Sequence, residues 1–209
     1  MEKLRVLLAD DHKFITEGLK SILEPEYEVA GIVEDGQALV REAGRLRPDV
    51  IVVDISMPKL NGIDAVRKIK EDGNDAKVVF LTMHPDVAYA SRALEAGGDG
   101  FVLKHSAPEE LLFAIEKALD NKKFITESIA AELDNTTHSR QDSIRKLTTR
   151  QREVLQLLAE GHSARKIGDI LFVSPRTVEF HKYKIMEELG IHNSAELVQY
   201  AIKMGLVGI

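Results

Sequence analysis

The run Val50-Ile-Val-Val-Asp54-Ile-Ser-Met-Pro-Lys-Leu-Asn-Gly62 sets four consecutive β-branched residues directly ahead of a carboxylate, a proline and a glycine. A short apolar run bounded by turn residues is the pattern of a strand buried on both faces of a parallel sheet. Four more runs of this kind flank it: Leu4-Arg-Val-Leu-Leu-Ala9, Glu28-Val-Ala-Gly-Ile-Val33, Lys77-Val-Val-Phe-Leu81 and Gly100-Phe-Val-Leu103. Helical periodicities lie between them, with Ile15, Leu19, Ile22 and Leu23 in one and Ala65, Val66 and Ile69 in another. The alternation predicts right-handed crossovers and a doubly wound sheet of five parallel strands, with no sixth strand apparent. Such a sheet binds ligands beyond the carboxyl ends of its strands, where the winding reverses.

Those strand ends are polar. The first ends in Asp10-Asp11, the third in Asp54, the fourth in Thr82 and the fifth in Lys104. A lone aspartate at a strand end is ordinarily a helix cap or a solvated turn residue; four polar ends on one edge form a joint pattern. Three neighbouring carboxylates repel unless a cation joins them. An oxygen donor set, with no cysteine or histidine at these ends, favours a hard octahedral ion such as Mg²⁺. A phosphoryl group would complete the arrangement. Mg²⁺, the Lys104 ammonium and the Thr82 hydroxyl could hold three phosphoryl oxygens while the Asp54 carboxylate attacks phosphorus and becomes an acyl phosphate. Pro58 fixes the loop after the third strand, and Gly62 permits a tight turn into the next helix.

The chain has 209 residues, 44% of them hydrophobic, with 28 Lys and Arg against 34 Asp and Glu and no cysteine. That is too apolar for disorder and long enough for one domain or two small ones. Without cysteine, disulfides and thiolate sites are excluded. There is no run of 18 apolar residues and no signal-peptide pattern at the start, so the reading is a cytosolic protein with no membrane partner. Charge is distributed unevenly. Residues 1–130 carry 17 basic and 24 acidic groups, net −7, whereas residues 144–209 carry ten and seven, net +3. Between them, Asp134-Asn-Thr-Thr-His-Ser-Arg-Gln-Asp-Ser143 has no aliphatic or aromatic side chain and is read as a linker. The boundaries follow: a first domain over 1–130, a linker over 131–146 and a second domain over 147–209.

At this point the first domain resembles the response-regulator receiver domain of bacterial two-component systems, over about residues 1–121. The resemblance rests on Asp10-Asp11, Asp54-Ile-Ser-Met-Pro-Lys-Leu-Asn-Gly62, Phe80-Leu-Thr-Met-His84 and Gly97-Gly-Asp-Gly-Phe-Val-Leu-Lys104. It implies that Asp54 is the phosphoacceptor, and that Asp54, Asp11 with Asp10 behind it, and the Ser56 main-chain carbonyl hold Mg²⁺. It further implies that Thr82 and Lys104 bind the phosphoryl oxygens and that Phe101 occupies an aromatic switch position working with Thr82. Two residues depart from the family pattern. His105 stands where proline is common, and Met83 is larger than the residue often found beside the threonine, where it would restrict access to the phosphoryl group.

Beyond the linker, Leu147-Thr-Thr-Arg-Gln-Arg-Glu-Val-Leu-Gln-Leu-Leu-Ala159 opens on a cap candidate and runs at helical period. A second helix is expected over about Ala164–Leu171. A third opens at Ser174-Pro175 and runs to about Leu189, and a fourth spans Ser194–Met204. Leu147-Thr-x-Arg-x-x-Glu-Val-Leu, Gly161-His-Ser, Lys166-Ile, Ser174-Pro-Arg-Thr-Val, His181 and Leu189-Gly-Ile resemble the LuxR-type helix-turn-helix. Helical geometry turns Val178, His181, Ile185 and Leu189 of the third helix inward, and Arg176, Glu179, Phe180, Tyr183 and Lys184 outward. The resemblance puts base contacts at Glu179, Phe180 and Tyr183. Lys166, Arg176 and Lys182 suit backbone phosphates, with Thr177 in the same DNA-binding set.

Together the halves resemble a response regulator of the NarL/FixJ subfamily: α/β then all-α, a flavodoxin-like five-stranded receiver, a linker and a four-helix DNA-binding domain. The implied function is a non-enzymatic transcription regulator with a sensor histidine kinase and promoter DNA as partners, forming a homodimer when phosphorylated. The acidic receiver could lie against the basic domain until phosphorylation frees a dimer-competent form. Two alternatives stand beside it. An aspartyl-phosphate phosphatase or phosphotransferase would need an acid/base two residues past the nucleophile, where this chain has Ser56. A constitutive DNA-binding protein with a vestigial receiver would have lost site residues that are all present here.

Overall fold

The computed structural model describes residues 3–83, 85–106, 108–133 and 147–207. The chain divides into two compact units between residues 137 and 138. The expected linker falls almost wholly outside the described residues.

The first unit is a parallel sheet in the order β2-β1-β3-β4-β5-β6. Its strands are β1 (Arg5–Ala9), β2 (Glu28–Val33), β3 (Val50–Asp54), β4 (Lys77–Thr82), β5 (Gly100–Leu103) and β6 (Phe124–Ile125). The five expected strands are all present, and β3 is buried at every position. Apolar side chains of β1, β3, β4 and β5 supply the cores on the two sheet faces. One gathers Leu7, Ile51, Val53, Phe80 and Phe101, the other Val6, Leu8, Val52, Val79 and Val102. The winding reverses between β1 and β3, as the doubly wound reading requires.

The sixth strand corrects the five-stranded expectation. Phe124-Ile125 is only two residues long, too short for a periodic signal. It joins the sheet through backbone bonds from Phe124 N–H to Asp99 O and from Thr126 N–H to Phe101 O, both 3.0 Å. The crossover helices are α1 (Lys13–Leu23), α2 (Gly36–Leu46), α3 (Gly62–Glu71), α4 (Val87–Glu95) and α5 (Pro108–Leu119). A further helix, α6 (Glu127–Leu133), buries Ile129 in the core that holds Phe101, so the expected domain end at residue 130 falls inside it.

The second unit holds α7 (Thr149–Ala159), α8 (Ala164–Leu171), α9 (Pro175–Leu189) and α10 (Ser194–Lys203) around Val154, Leu155, Ile167, Val178, Ile185 and Leu197. Its helix starts follow from capping chemistry. Thr148 and Gln151 form a reciprocal capping box, and Ser163, Ser174 and Asn193 each accept a backbone N–H. Gly190 ends α9 in the left-handed conformation. None of the described helices is long and apolar enough to cross a membrane.

Candidate functional site

Strand register assembles the first site. Ala9 pairs with Val53, Asp54 with Leu81 and Thr82 with Leu103, so the residues at or just past these ends share one edge. Lys104 N–H donates to Thr82 O at 2.8 Å, which holds the end of β5 against the end of β4. The Lys104 Nζ donates to Asp54 Oδ2 at 2.7 Å and lies 2.7 Å from Asp10 Oδ2. All three side chains are only 2–3% exposed, so this is a buried charge cluster.

Burial pushes the Asp54 carboxyl above the usual carboxylate range. The Lys104 charge and hydrogen bond oppose that shift, Asp10 reinforces it, and a bond from Ser56 N–H to Asp54 Oδ1 (3.3 Å) also opposes it. For Lys104, burial works against the charged form, but the Asp54 charge and the hydrogen bonds to both carboxylates outweigh it and raise its pKa. An ammonium thus faces a partly desolvated carboxylate, a pairing that supplies positive charge where a transferred phosphoryl group would bring negative charge.

Asp11 sits at the water-facing rim. Its neighbour His12 turns the imidazole onto the cluster, with Nδ1 2.9 Å from Asp11 Oδ1 and 3.1 Å from Asp10 Oδ1. Asp10, Asp11, His12 and Asp54 each present a ligand atom within 4.8 Å of the others. This donor set, three carboxylates and an imidazole, fits a divalent cation in charge and spacing. His12 is the residue that sequence reading misses, because it follows the aspartate pair and does not itself terminate the strand. The run Asp10-Asp11-His12 is the signal that could have found it.

The remaining expected residues are placed as follows. Ser56 is half-buried in the β3–α3 loop, which is pinned by Leu60 N–H to Pro58 O (2.8 Å), Gly62 N–H to Ile55 O (2.8 Å) and a Lys59–Asp35 ion pair (2.5 Å). Thr82 is fully buried at the end of β4, and Met83 beside it is exposed at the rim. Phe101 is fully buried within the core, opposite Phe80 in the sheet register. No peptide bond among the described residues is cis, so the Lys104–His105 bond is trans.

In the second unit, α8 and α9 form a helix-turn-helix whose turn passes through Phe172, held in the left-handed conformation. Ser174 Oγ accepts the Thr177 N–H at 3.1 Å and lies 2.8 Å from the Thr177 hydroxyl, tying Thr177 into the cap. Val178 and Ile185 face the core, with His181 and Leu189 half-buried beside them. Arg176, Glu179, Phe180 (58% exposed) and Tyr183 (65%) form the outer face. Lys166 is exposed on the first turn of α8, while Lys182 is half-buried, as is Lys184, which pairs with Glu187 at 2.7 Å.

A parallel sheet with an acidic cluster at its carboxyl edge, joined to a helix-turn-helix unit, defines a receiver coupled to a DNA-binding output domain. The response regulator receiver domain family matches residues 6–116, and the family of bacterial regulatory proteins of the luxR type matches residues 145–201. The transcriptional regulatory protein DegU of Brevibacillus brevis is 32% identical, over 99% of this chain and 96% of its own length. The oxygen regulatory protein NreC of Staphylococcus carnosus is 34% identical, over 98% and 99% respectively. The structure of the Salmonella typhimurium response regulator RcsB is similar with a TM-score of 0.59 at 31% identity, covering 96% of this chain and 98% of that one. RcsB dimers bound to DNA give a TM-score of 0.61. The chain belongs to the NarL/FixJ-type response regulators, DNA-binding transcriptional regulators and not enzymes.

Proposed function

We propose that Asp54 accepts a phosphoryl group from a sensor histidine kinase and that the phosphorylated chain, as a dimer, binds promoter DNA in the cytoplasm. The observation that carries this reading is the Asp54 carboxylate, buried at the end of the central strand β3, held by Lys104 and set within 4.8 Å of ligand atoms of Asp10, Asp11 and His12. An Asp54 oxygen attacks phosphorus, the bond from phosphorus to the donor's imidazole nitrogen breaks, and that nitrogen leaves with its electron pair. Lys104 and the Thr82 hydroxyl hold the phosphoryl oxygens. Asp11, Asp10, Asp54 and the Ser56 carbonyl would hold Mg²⁺, whose chemistry is to neutralise charge on the transferred group.

The test is incubation with Mg²⁺ and a small phosphodonor such as acetyl phosphate. Stable label on Asp54 supports the reading; steady release of free phosphate without label would favour an enzyme, and no reaction would favour a vestigial receiver. The receiver then extends through α6 to Leu133 and not to residue 130, and residues 147–209 act as the output domain. The charge contrast between net −7 and net +3 supports a masking interaction that phosphorylation releases. Identical mass, small-angle scattering and DNA affinity with and without phosphate would rule that interaction out.

On DNA, Lys166, Arg176 and Lys182 contact backbone phosphates, Thr177 positions the start of α9, and Glu179, Phe180 and Tyr183 face base edges. Glutamate accepts from cytosine N4, and an aromatic ring can touch a thymine methyl. Lys182→Ala is expected to weaken binding to every sequence and lower the salt slope by about one unit. Glu179→Ala is expected to relax preference at one base pair by about 1–3 kcal/mol. Binding isotherms on a selected site and on random DNA, at several salt concentrations, check both; equal losses on the two DNAs for Glu179→Ala would exclude base readout by that side chain.

A further inference from the structure

His12 occupies the N-cap of α1, a position where Ser, Asp or Asn ordinarily accepts a backbone N–H, yet its side chain makes no capping bond. The residue is turned back on the acidic cluster instead. Its own N–H donates to Asp10 Oδ1 at 2.9 Å, and its Nδ1 stands 3.1 Å from that oxygen and 2.9 Å from Asp11 Oδ1. An octahedral shell with ligand bonds of about 2.1 Å sets adjacent ligands about 3 Å apart, and these atoms have that spacing. The imidazole is 61% exposed, so no packing holds it against the carboxylates; the cluster itself does.

The nitrogen changes which ion the site prefers. Mg²⁺ is a hard ion that takes oxygen ligands and keeps its waters, so an imidazole adds little to its binding. First-row transition dications accept imidazole readily, with affinity rising from Mn²⁺ through Co²⁺ to Ni²⁺. We propose that His12 Nδ1 is a nitrogen donor of the cation site, so that the site binds Mn²⁺ and Co²⁺ more tightly than Mg²⁺. The proposal rests on reading the acidic cluster as a cation site, and it adds a ligand and a selectivity to that reading. An Nδ1–H shared between the two carboxylates would have similar separations, but it would leave the ion preference untouched.

The test uses the full-length chain and His12→Ala, without phosphodonor. Calorimetric titrations with Mg²⁺, Mn²⁺ and Co²⁺ are joined to pulsed electron paramagnetic resonance of the Mn²⁺-loaded protein. The expected result is Co²⁺ binding at least about tenfold tighter than Mg²⁺ in the wild type. In His12→Ala, Co²⁺ affinity falls about 10–100-fold while Mg²⁺ affinity changes less than about twofold. A nitrogen coupling seen on wild-type Mn²⁺ should vanish in the variant. Parallel losses for all three ions would assign His12 to positioning the carboxylates and overturn the donor role, as would unchanged affinities or an absent nitrogen coupling. If the wild type bound none of the ions, the cation site itself would be refuted and the donor with it.

Discussion

Asp54→Ala is expected to take up no phosphoryl label from Mg²⁺ and acetyl phosphate at any concentration that labels the wild type, a loss to background. The reason is the placement of the carboxylates. Asp10 lies just past the end of β1, with Oδ2 2.7 Å from Lys104 and Oδ1 taking the His12 N–H and facing the His12 imidazole; Asp11 sits at the rim with its Oδ1 against His12. Asp54 is the carboxylate that ends β3 itself, with a hydrogen bond from the Lys104 ammonium on one oxygen, the Ser56 N–H at a longer 3.3 Å on the other, and no imidazole against it. The fold is expected to survive. Alanine removes one of several clustered negative charges and leaves Lys104 paired with Asp10 at 2.7 Å, so relief of the repulsion between the carboxylates offsets the missing Lys104–Asp54 hydrogen bond. Thermal unfolding without added divalent cation should give a midpoint no lower than the wild type's. Label persisting on the variant, located by mass spectrometry on Asp10 or Asp11, would move the acceptor to another carboxylate.

The same placement explains which parts of this site were legible beforehand. Strands β1, β3, β4 and β5 could be read because sheet strands buried on both faces must be apolar throughout, so the first polar residue marks the strand end. Asp10, Asp54, Thr82 and Lys104 are those residues or follow directly on them, and the crossover rule put them on one edge. His12 was not legible by that argument, since it lies one residue past the aspartate pair and reaches the cluster only through the backbone turn that starts α1. β6 and α6 escaped for a different reason. Two half-buried residues and a seven-residue helix carry too little periodicity, and their places depend on bonds to Phe101 and Asp99 and on Ile129 entering a core built elsewhere.

Helical period was a good guide to direction and a poorer one to depth. In α9 it correctly set Val178 and Ile185 inward and Glu179, Phe180 and Tyr183 outward, because a single core lies on one side of that helix. Ile15, Leu19 and Ile22 of α1 follow the same period, yet only Leu23 of that set is fully buried. The other three line an open groove with Leu111 and Pro108 of α5 and with Lys104, so the apolar face of α1 runs out beside the charged site.

Gly62→Ala and Gly44→Ala are expected to move stability in opposite directions, the first by the larger amount. A Cβ on Gly62 would come 2.1 Å from the Asp54 carbonyl oxygen and 3.0 Å from its carbon, both backbone atoms that no rotamer change can move. Relief requires the start of α3 to back away from β3, stretching the 2.8 Å bond from Gly62 N–H to Ile55 O that closes the loop carrying Ser56. Overpacking of this kind costs about 2–3 kcal/mol. For a domain of this size that lowers Tm by roughly 5–15 °C. Because the displaced loop follows directly on Asp54, labelling should slow about tenfold or more even at temperatures where the variant is folded. Gly44 lies exposed within α2 with nothing within 4 Å of a built Cβ, so alanine there gains helix propensity without a clash. It should stabilise the domain by about 0.5–1 kcal/mol and leave labelling unchanged. Scanning calorimetry and labelling rates on the two variants decide the matter: a Gly62→Ala domain as stable and as reactive as the wild type would mean that α3 does not brace the acceptor loop.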